Sequence, residues 1–537
     1  MIAGELLRNC AGETPNGGPP SLTADSTAAC GTSRRANRGR TSAIEIRVVR
    51  RIGLAVGLII VAAYYLLLLS NGTFRLFAPE RFDKVFASML LHMLHGQFYV
   101  DSNVIAYEAF TRNGHTYSYF GVFPALLRLL AIPFTDVAQA ELARLSCLAA
   151  VVLFVVLQLR MLFIVHDNLP SGSRIPEFLA VMVVATVLSG PQLYILGPAW
   201  IYHEPVLWAA VLAAAFNLIV IRAVFREGGL AARHLIGLSV LAGLAINTRP
   251  SIGVALYVGA VLLIGWTAWE RHGRPSIEGT LAVGPPRLAK AISGLVFDAG
   301  AWLPILILGA LAAAAGIVNF ERWGNPFTFA DYRYYYVAQY LRPHDFEVLR
   351  NYGEFNLGRV WIGALYYATG IPWLLKNTAP FADFLNARFV GLEGPPLTPL
   401  LSNPLTILLA GAGLYRLWRK PDLTRGSLAI LRLALMGNAV GVILIFSAMF
   451  VALRYRFDLA PFMTLAALVG YRSVSISAAD APRHWRTRLR IVAASLCILG
   501  ILGSHYVLVV HKVWSPASPV EVRRALIPFI PFAAHWL

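Results

Sequence analysis

Long apolar runs separated by short polar segments dominate this chain. In order they lie near 52–70, 141–165, 176–194, 205–223, 235–248, 251–269, 299–319, 400–418, 430–450, 458–471 and 491–511. Most approach the roughly 20 residues that a helix needs to cross a hydrocarbon core of ~30 Å. The pattern predicts an all-α polytopic membrane protein with about 11 transmembrane helices. Two further apolar stretches, 118–134 and 358–375, are short and interrupted by Pro124, Pro133, Gly370 and Pro372. They read as re-entrant or interfacial, because a broken helix at membrane depth is tolerated where protein or a cavity surrounds it.

Composition agrees. The 537 residues are 57% hydrophobic and 14% charged, against about half apolar and a quarter charged in soluble domains. The net charge of +18 sits in short clusters between apolar runs, which argues against a nucleic-acid partner and for an orientation signal. The clusters are Arg47, Arg50 and Arg51; Arg222, Arg226 and Arg233; Arg271, Arg274, Arg287 and Lys290; Arg416, Arg419, Lys420 and Arg425; and Arg483, Arg486, Arg488 and Arg490. All fall on the cytoplasmic side if 118–134 and 358–375 do not cross. If both cross, the second and third clusters land outside, against the charge rule.

The domain reading follows. Residues 1–43, rich in Gly, Pro, Ser and Thr, form a disordered cytoplasmic tail, or precede a later true start. Residues 44–511 form the membrane domain, with external loops 71–118 and 320–399, and 512–537 form an external tail. Cys10, Cys30, Cys147 and Cys497 are too scattered for a zinc site or a disulfide framework.

With this topology several polar clusters share the non-cytoplasmic face. The first loop holds Asp83 at the start of an amphipathic pattern (Phe82, Val85, Phe86, Met89, Leu90, Met93) expected to lie on the outer leaflet. It also holds Asp101 and Glu108. Asp83 serves either as a helix-start charge or as a base for an acceptor arriving from outside. Glu108 is read either as solvated or as a catalytic or cation-binding carboxylate, which leaves room for a divalent cation without defining its ligands. His203 and Glu204 precede an apolar helix in a Gly-Pro-broken segment, where a helix-start role competes with substrate binding. Arg249 snorkels or grips a phosphate, and Arg454, Arg456 and Asp458 pose the same choice. The tyrosine-rich loop 320–356 suits sugar rings or the membrane interface equally.

These segments together resemble the GT-C superfamily of polytopic glycosyltransferases, specifically bacterial relatives of protein O-mannosyltransferases and lipopolysaccharide-core sugar transferases. The resemblance rests on Asp83 after the first span, DKVFASMLLHMLHGQFYV through Gly96, GHTYSYFGVFPALLRLL, YHEPVLW, NTRPS, NFERWGNPFTFADYRY and RYRFDLAPF, and covers about residues 50–470. It implies sugar transfer from a polyprenyl-phosphate donor to an envelope glycan, lipid or protein acceptor, in a bacterial inner membrane. It also implies Asp83 as catalytic carboxylate and Arg249, Arg454 or Arg456 on the lipid phosphate. The chain departs from the pattern with Asp83-Lys84 for the common Asp-Glu and Phe123-Pro124 for the usual Pro-Pro. Two competing classes are a transporter or flippase, whose broken helices would mark the path, and a non-catalytic envelope-assembly protein. The sequence shows no internal repeat and gathers its polar clusters at one face, which favours the enzyme.

Overall fold

The computed structural model describes residues 53, 55–272, 299–394, 397–419, 423–514 and 518–530. The predicted tail 1–43, with Arg274, Arg287, Lys290 and Lys420, lies outside them. The chain forms two units, residues 1–60 and 61–537. In the first, the described residues, 53 and 55–60, are helical.

Each predicted span coincides with a helix. These are α1 (Ala55–Leu69), α2 (Ala143–Asp167), α3 (Pro176–Leu188), α4 (His203–Phe225), α5 (Ala232–Ile246) and α6 (Pro250–His272). They continue with α7 (Ala299–Trp323), α8 (Pro404–Arg419), α9 (Arg425–Ser447), α10 (Ala460–Ala479) and α11 (Arg483–Trp514). Among the described residues, eight helices are long and apolar enough to cross a membrane, while α1 and α5 are shorter apolar helices. The chain is an all-α polytopic membrane protein.

Local chemistry sets the helix ends. Pro176, Pro250 and Pro404 occupy first-turn positions, where a missing N–H costs nothing. Thr424 accepts from the Ser427 amide at 3.3 Å to start α9. Where α8 and α10 cross, glycines let the backbones touch: a Cβ on Gly470 would stand 1.8 Å from the Leu409 carbonyl oxygen, and one on Gly413 2.0 Å from that of Ala466.

The two interrupted stretches stay short. Residues 118–134 give a helix at Phe123–Leu127 and a 3-10 turn at Arg128–Ala131. Residues 358–375 give Val360–Thr369, stopped by Gly370 in the left-handed region (φ 73°), then Ile371–Leu374. A helix of 10 residues rises only about 15 Å, too little to span.

Two details differ from expectation. The amphipathic pattern of loop one forms a helix at Val85–Met93, but Val85 through Leu90 are buried in a cluster with Phe120, Val122, Ala125 and Ile201. Its apolar face meets protein rather than lipid. The last span also runs on to Trp514, and Val510 and Val513 pack with Leu526, Ile527 and Ile530, so the segment read as a tail begins as helix and then packs beside it.

Candidate functional site

Loop one and the tyrosine-rich loop are tied together by backbone pairing. A hairpin of Phe110–Arg112 with His115–Tyr117 places Phe110 in a bridge to Tyr335, and the Tyr336 amide donates to the Ala109 carbonyl at 3.0 Å. The Phe110 and Tyr335 rings stack with centroids 4.8 Å apart. This register brings the Tyr335 hydroxyl to Glu108, to which it donates at 2.9 Å. Glu108 is 6% exposed. Such a carboxylate, held by one phenol and facing an open chamber, keeps acceptor capacity for an incoming group.

A second backbone device brings Arg454 to the same chamber. Gly391–Leu392 pairs in parallel with Phe450–Val451. Glu393 then accepts from the Leu453 amide at 2.9 Å and lies 3.7 Å from Arg454. The Arg454 guanidinium also sits 4.5 Å from the centroid of the Tyr202 ring and 5.3 Å from that of Tyr455. Aromatic faces orient this cation while leaving its edge available.

Glu108, Arg454 and Glu393 line one cavity of 490 Å³ with Trp200, Tyr202, Tyr119 and His511. Arg342 and Asp345, 3.3 Å apart, stand in its wall. A second cavity, of 360 Å³, abuts it across Tyr119, Tyr332, Met449, Phe450 and Tyr455, and holds Arg249 and Glu354. Burial pushes the Glu354 carboxyl up to about 7.

The other sequence-derived residues are placed as follows. Arg249 is committed to Asp458 by two bonds of 2.6 Å, and Asp458 is buried. Glu204 pairs with Arg128, through a 2.8 Å contact and a shorter one, and accepts from Ser146. His203 Nδ1–H donates to the Pro198 carbonyl at 2.7 Å, and the ring packs beside His511. Neither Glu204 nor His203 lines the chamber. Arg456 faces a different cavity.

Asp83 lines none of the described cavities. It closes a turn instead, accepting from the Glu80 amide at 2.9 Å. Its carboxyl is pushed up to about 7, first by burial and then by Glu141 beside it. Among the described residues no group of three His, Cys, Asp or Glu side chains is placed to hold a metal ion.

Sequence reasoning overlooked Arg128, Glu393, Glu354 and His511. Arg128 had a readable signal, a lone cation inside the apolar PALLRLL. Glu393 and Glu354 had none, since each gains its role from pairing across distant loops.

No protein-family model matches the sequence, and no curated protein sequence matches it. Among solved structures, the oligosaccharyltransferase of Archaeoglobus fulgidus in its apo form aligns at 15% identity and a TM-score of 0.40, over 88% of this chain and 59% of that one. The archaeal enzyme with an inhibitory peptide and a dolichol-phosphate gives 13% and 0.41 over the same shares. Its complex with zinc and sulfate gives 13% and 0.43, over 88% and 57%. The chain thus spans less than two thirds of the length of these structures.

Proposed function

We propose that this protein is a membrane glycosyltransferase that moves a sugar from a polyprenyl-phosphate donor to an envelope acceptor at the non-cytoplasmic face of a bacterial inner membrane. The observation that carries the reading is the 490 Å³ aromatic-lined chamber in which a nearly buried carboxylate, Glu108, and a guanidinium, Arg454, share the walls. The donor class comes from the sequence resemblance to GT-C enzymes.

The orientation rests on charge. α4 follows Tyr202 of the chamber wall and carries Arg222 in its last turn; α11 begins in the Arg483–Arg490 cluster and ends with His511 and Trp514 at the chamber. α9 likewise runs from Arg425 toward Phe450. The basic ends therefore lie opposite the chamber, and the positive-inside rule turns the chamber outward.

In the reaction, a Glu108 oxygen takes the proton of the acceptor hydroxyl as that oxygen attacks the anomeric carbon. The bond from that carbon to the phosphate oxygen breaks, and the departing phosphate gains charge that Arg454 stabilises. Trp200 and Tyr202 offer faces for sugar rings. Asp83, outside the chamber, is the second candidate for the base.

The test is a deletion strain complemented with wild type, Glu108→Gln, Arg454→Ala and Asp83→Asn, with envelope glycans and lipid-linked sugars profiled by mass spectrometry. Glu108→Gln should cut product by about 100-fold or more and let the lipid-linked donor accumulate. Glycans and intermediates unchanged in the full deletion would sink the transferase reading. Loss in Asp83→Asn with Glu108→Gln active would move the base to Asp83.

A further inference from the structure

The 3-10 segment Leu453–Leu459 sends its charges to separate destinations. Arg454 lines the outer chamber, Arg456 lines a cavity apart from it, and Asp458 clasps Arg249. The 360 Å³ cavity that abuts the chamber therefore holds an arginine whose charge is already answered. Among the described residues its other charged side chain is Glu354, which has no such answer.

The backbone of Glu354 is pinned. Its carbonyl accepts from the Met449 amide at 2.9 Å and from Arg359 at 3.1 Å. Arg359 spends its remaining nitrogens on the carbonyls of Gly353 and Arg388. The carboxyl is left over: neither oxygen is sealed, and neither has a hydrogen-bond or ion-pair partner among the described residues. Burial pushes this carboxyl up, with no charge or donor holding it down. Burial, and Glu354 after it, also push up the phenol of Tyr332, so the two side chains stand near each other.

The walls decide what answers that charge. Phe327, Phe329, Tyr332 and Phe355 line the cavity, and exposed Phe327 and Phe355 open it to the outside of the protein. Glu354 repels a phosphate or a carboxylate. A divalent metal ion asks for several oxygen ligands, and among the described residues no group of three His, Cys, Asp or Glu side chains offers them. An ammonium group brings a positive charge and its donors together, and aromatic faces favour it. Thr248, Ser251 and Thr328 place hydroxyls around the same space, more than the thin apolar stem of a lysine would use. Hydroxyls beside aromatic faces suit a sugar ring.

We propose that the 360 Å³ cavity binds a sugar carrying a free, protonated amino group, with Glu354 as its counter-charge. That this amino sugar is the acceptor rests on the transfer reading above. Arg454 draws the donor phosphate into the chamber, and Glu354 keeps it out of the neighbouring cavity.

The test uses the full-length protein in detergent, wild type and Glu354→Gln, with binding read by isothermal titration calorimetry. The probes are the disaccharide of glucosamine, its diacetylated form, cellobiose, and butylamine, which has the charge without the ring. Wild type should bind the amino disaccharide about tenfold or more tighter than either neutral one, and Glu354→Gln should bind all three alike. Butylamine should bind more weakly than the amino disaccharide. Equal binding of the disaccharides by wild type, a preference that survives in Glu354→Gln, butylamine binding as tightly as the amino disaccharide, or no binding of any probe each overturns the proposal. The wild-type comparison decides even if Glu354→Gln fails to fold. Binding is read without turnover, so its failure leaves the transfer reading standing. Unchanged glycans in the deletion strain, conversely, remove the acceptor role and leave the binding site.

Discussion

Asp83 and Glu108 show how two carboxylates of one loop diverge once their neighbours are known. Asp83 spends its oxygens on a turn and shares its surroundings with Glu141, so its carboxyl rises to about 7 from the usual 3.8. A raised acid favours the folded state while protonated. Its contribution is complete below about 3.8 and is lost as pH rises through about 7. Asp83→Asn, neutral at every pH, should therefore flatten the decline of thermal stability between about pH 4 and about pH 8. An unchanged slope in differential scanning fluorimetry would remove the Asp83–Glu141 pair as its source. Arg249 makes a complementary case. The sequence offers snorkelling or phosphate binding for it; the structure pairs it with buried Asp458. Arg249→Ala strands that carboxylate and should destabilise the protein by about 3–5 kcal/mol, whereas Arg454→Ala should act on turnover with little loss of stability. Unfolding in a graded denaturant series separates the two. The residue types were legible in the sequence, but the partners of Glu108 and Arg249 lie more than 200 positions away and left no local trace.

At the level of elements, legibility was high because length and hydrophobicity are local properties. All eleven predicted spans meet helices, and both Pro- or Gly-broken stretches are too short to cross. What the sequence concealed is how helices approach each other. Gly413 and Gly470 look like ordinary small residues in apolar runs, yet each sits against a facing backbone. Gly470→Leu forces α8 and α10 apart and should cost about 1–3 kcal/mol or more. Gly411→Leu, on α8, meets nothing within 4 Å and should be tolerated. Equal melting temperatures for the two variants would contradict that packing. The helix of loop one failed in the other direction. Its period-four stripe was read correctly as amphipathic, but periodicity does not say whether the apolar face meets lipid or protein.

For the whole molecule, the face that carries the chamber decides what can reach it. Glu347, on the helix His344–Tyr352 that helps wall the chamber, and Asp480, at the end of α10, are both exposed. In a background with the 4 native cysteines replaced by serine, Glu347→Cys should react with a membrane-impermeant maleimide in intact cells. Asp480→Cys should react only after permeabilisation, and the reverse result would invert the topology. The sequence carried this orientation through its arginine clusters, whereas the chamber itself arises from two loop pairings, Phe110 with Tyr335 and Gly391–Leu392 with Phe450–Val451. The segment Leu453–Leu459 then ties that chamber to the interior. In a 3-10 helix each residue turns the chain by about 120°, so one inserted or deleted residue would swing every side chain of the segment to its neighbour's bearing. Arg454, Arg456 and Asp458 would lose their destinations together. In descendants of this chain, this seven-residue stretch is thus closed to insertion and deletion.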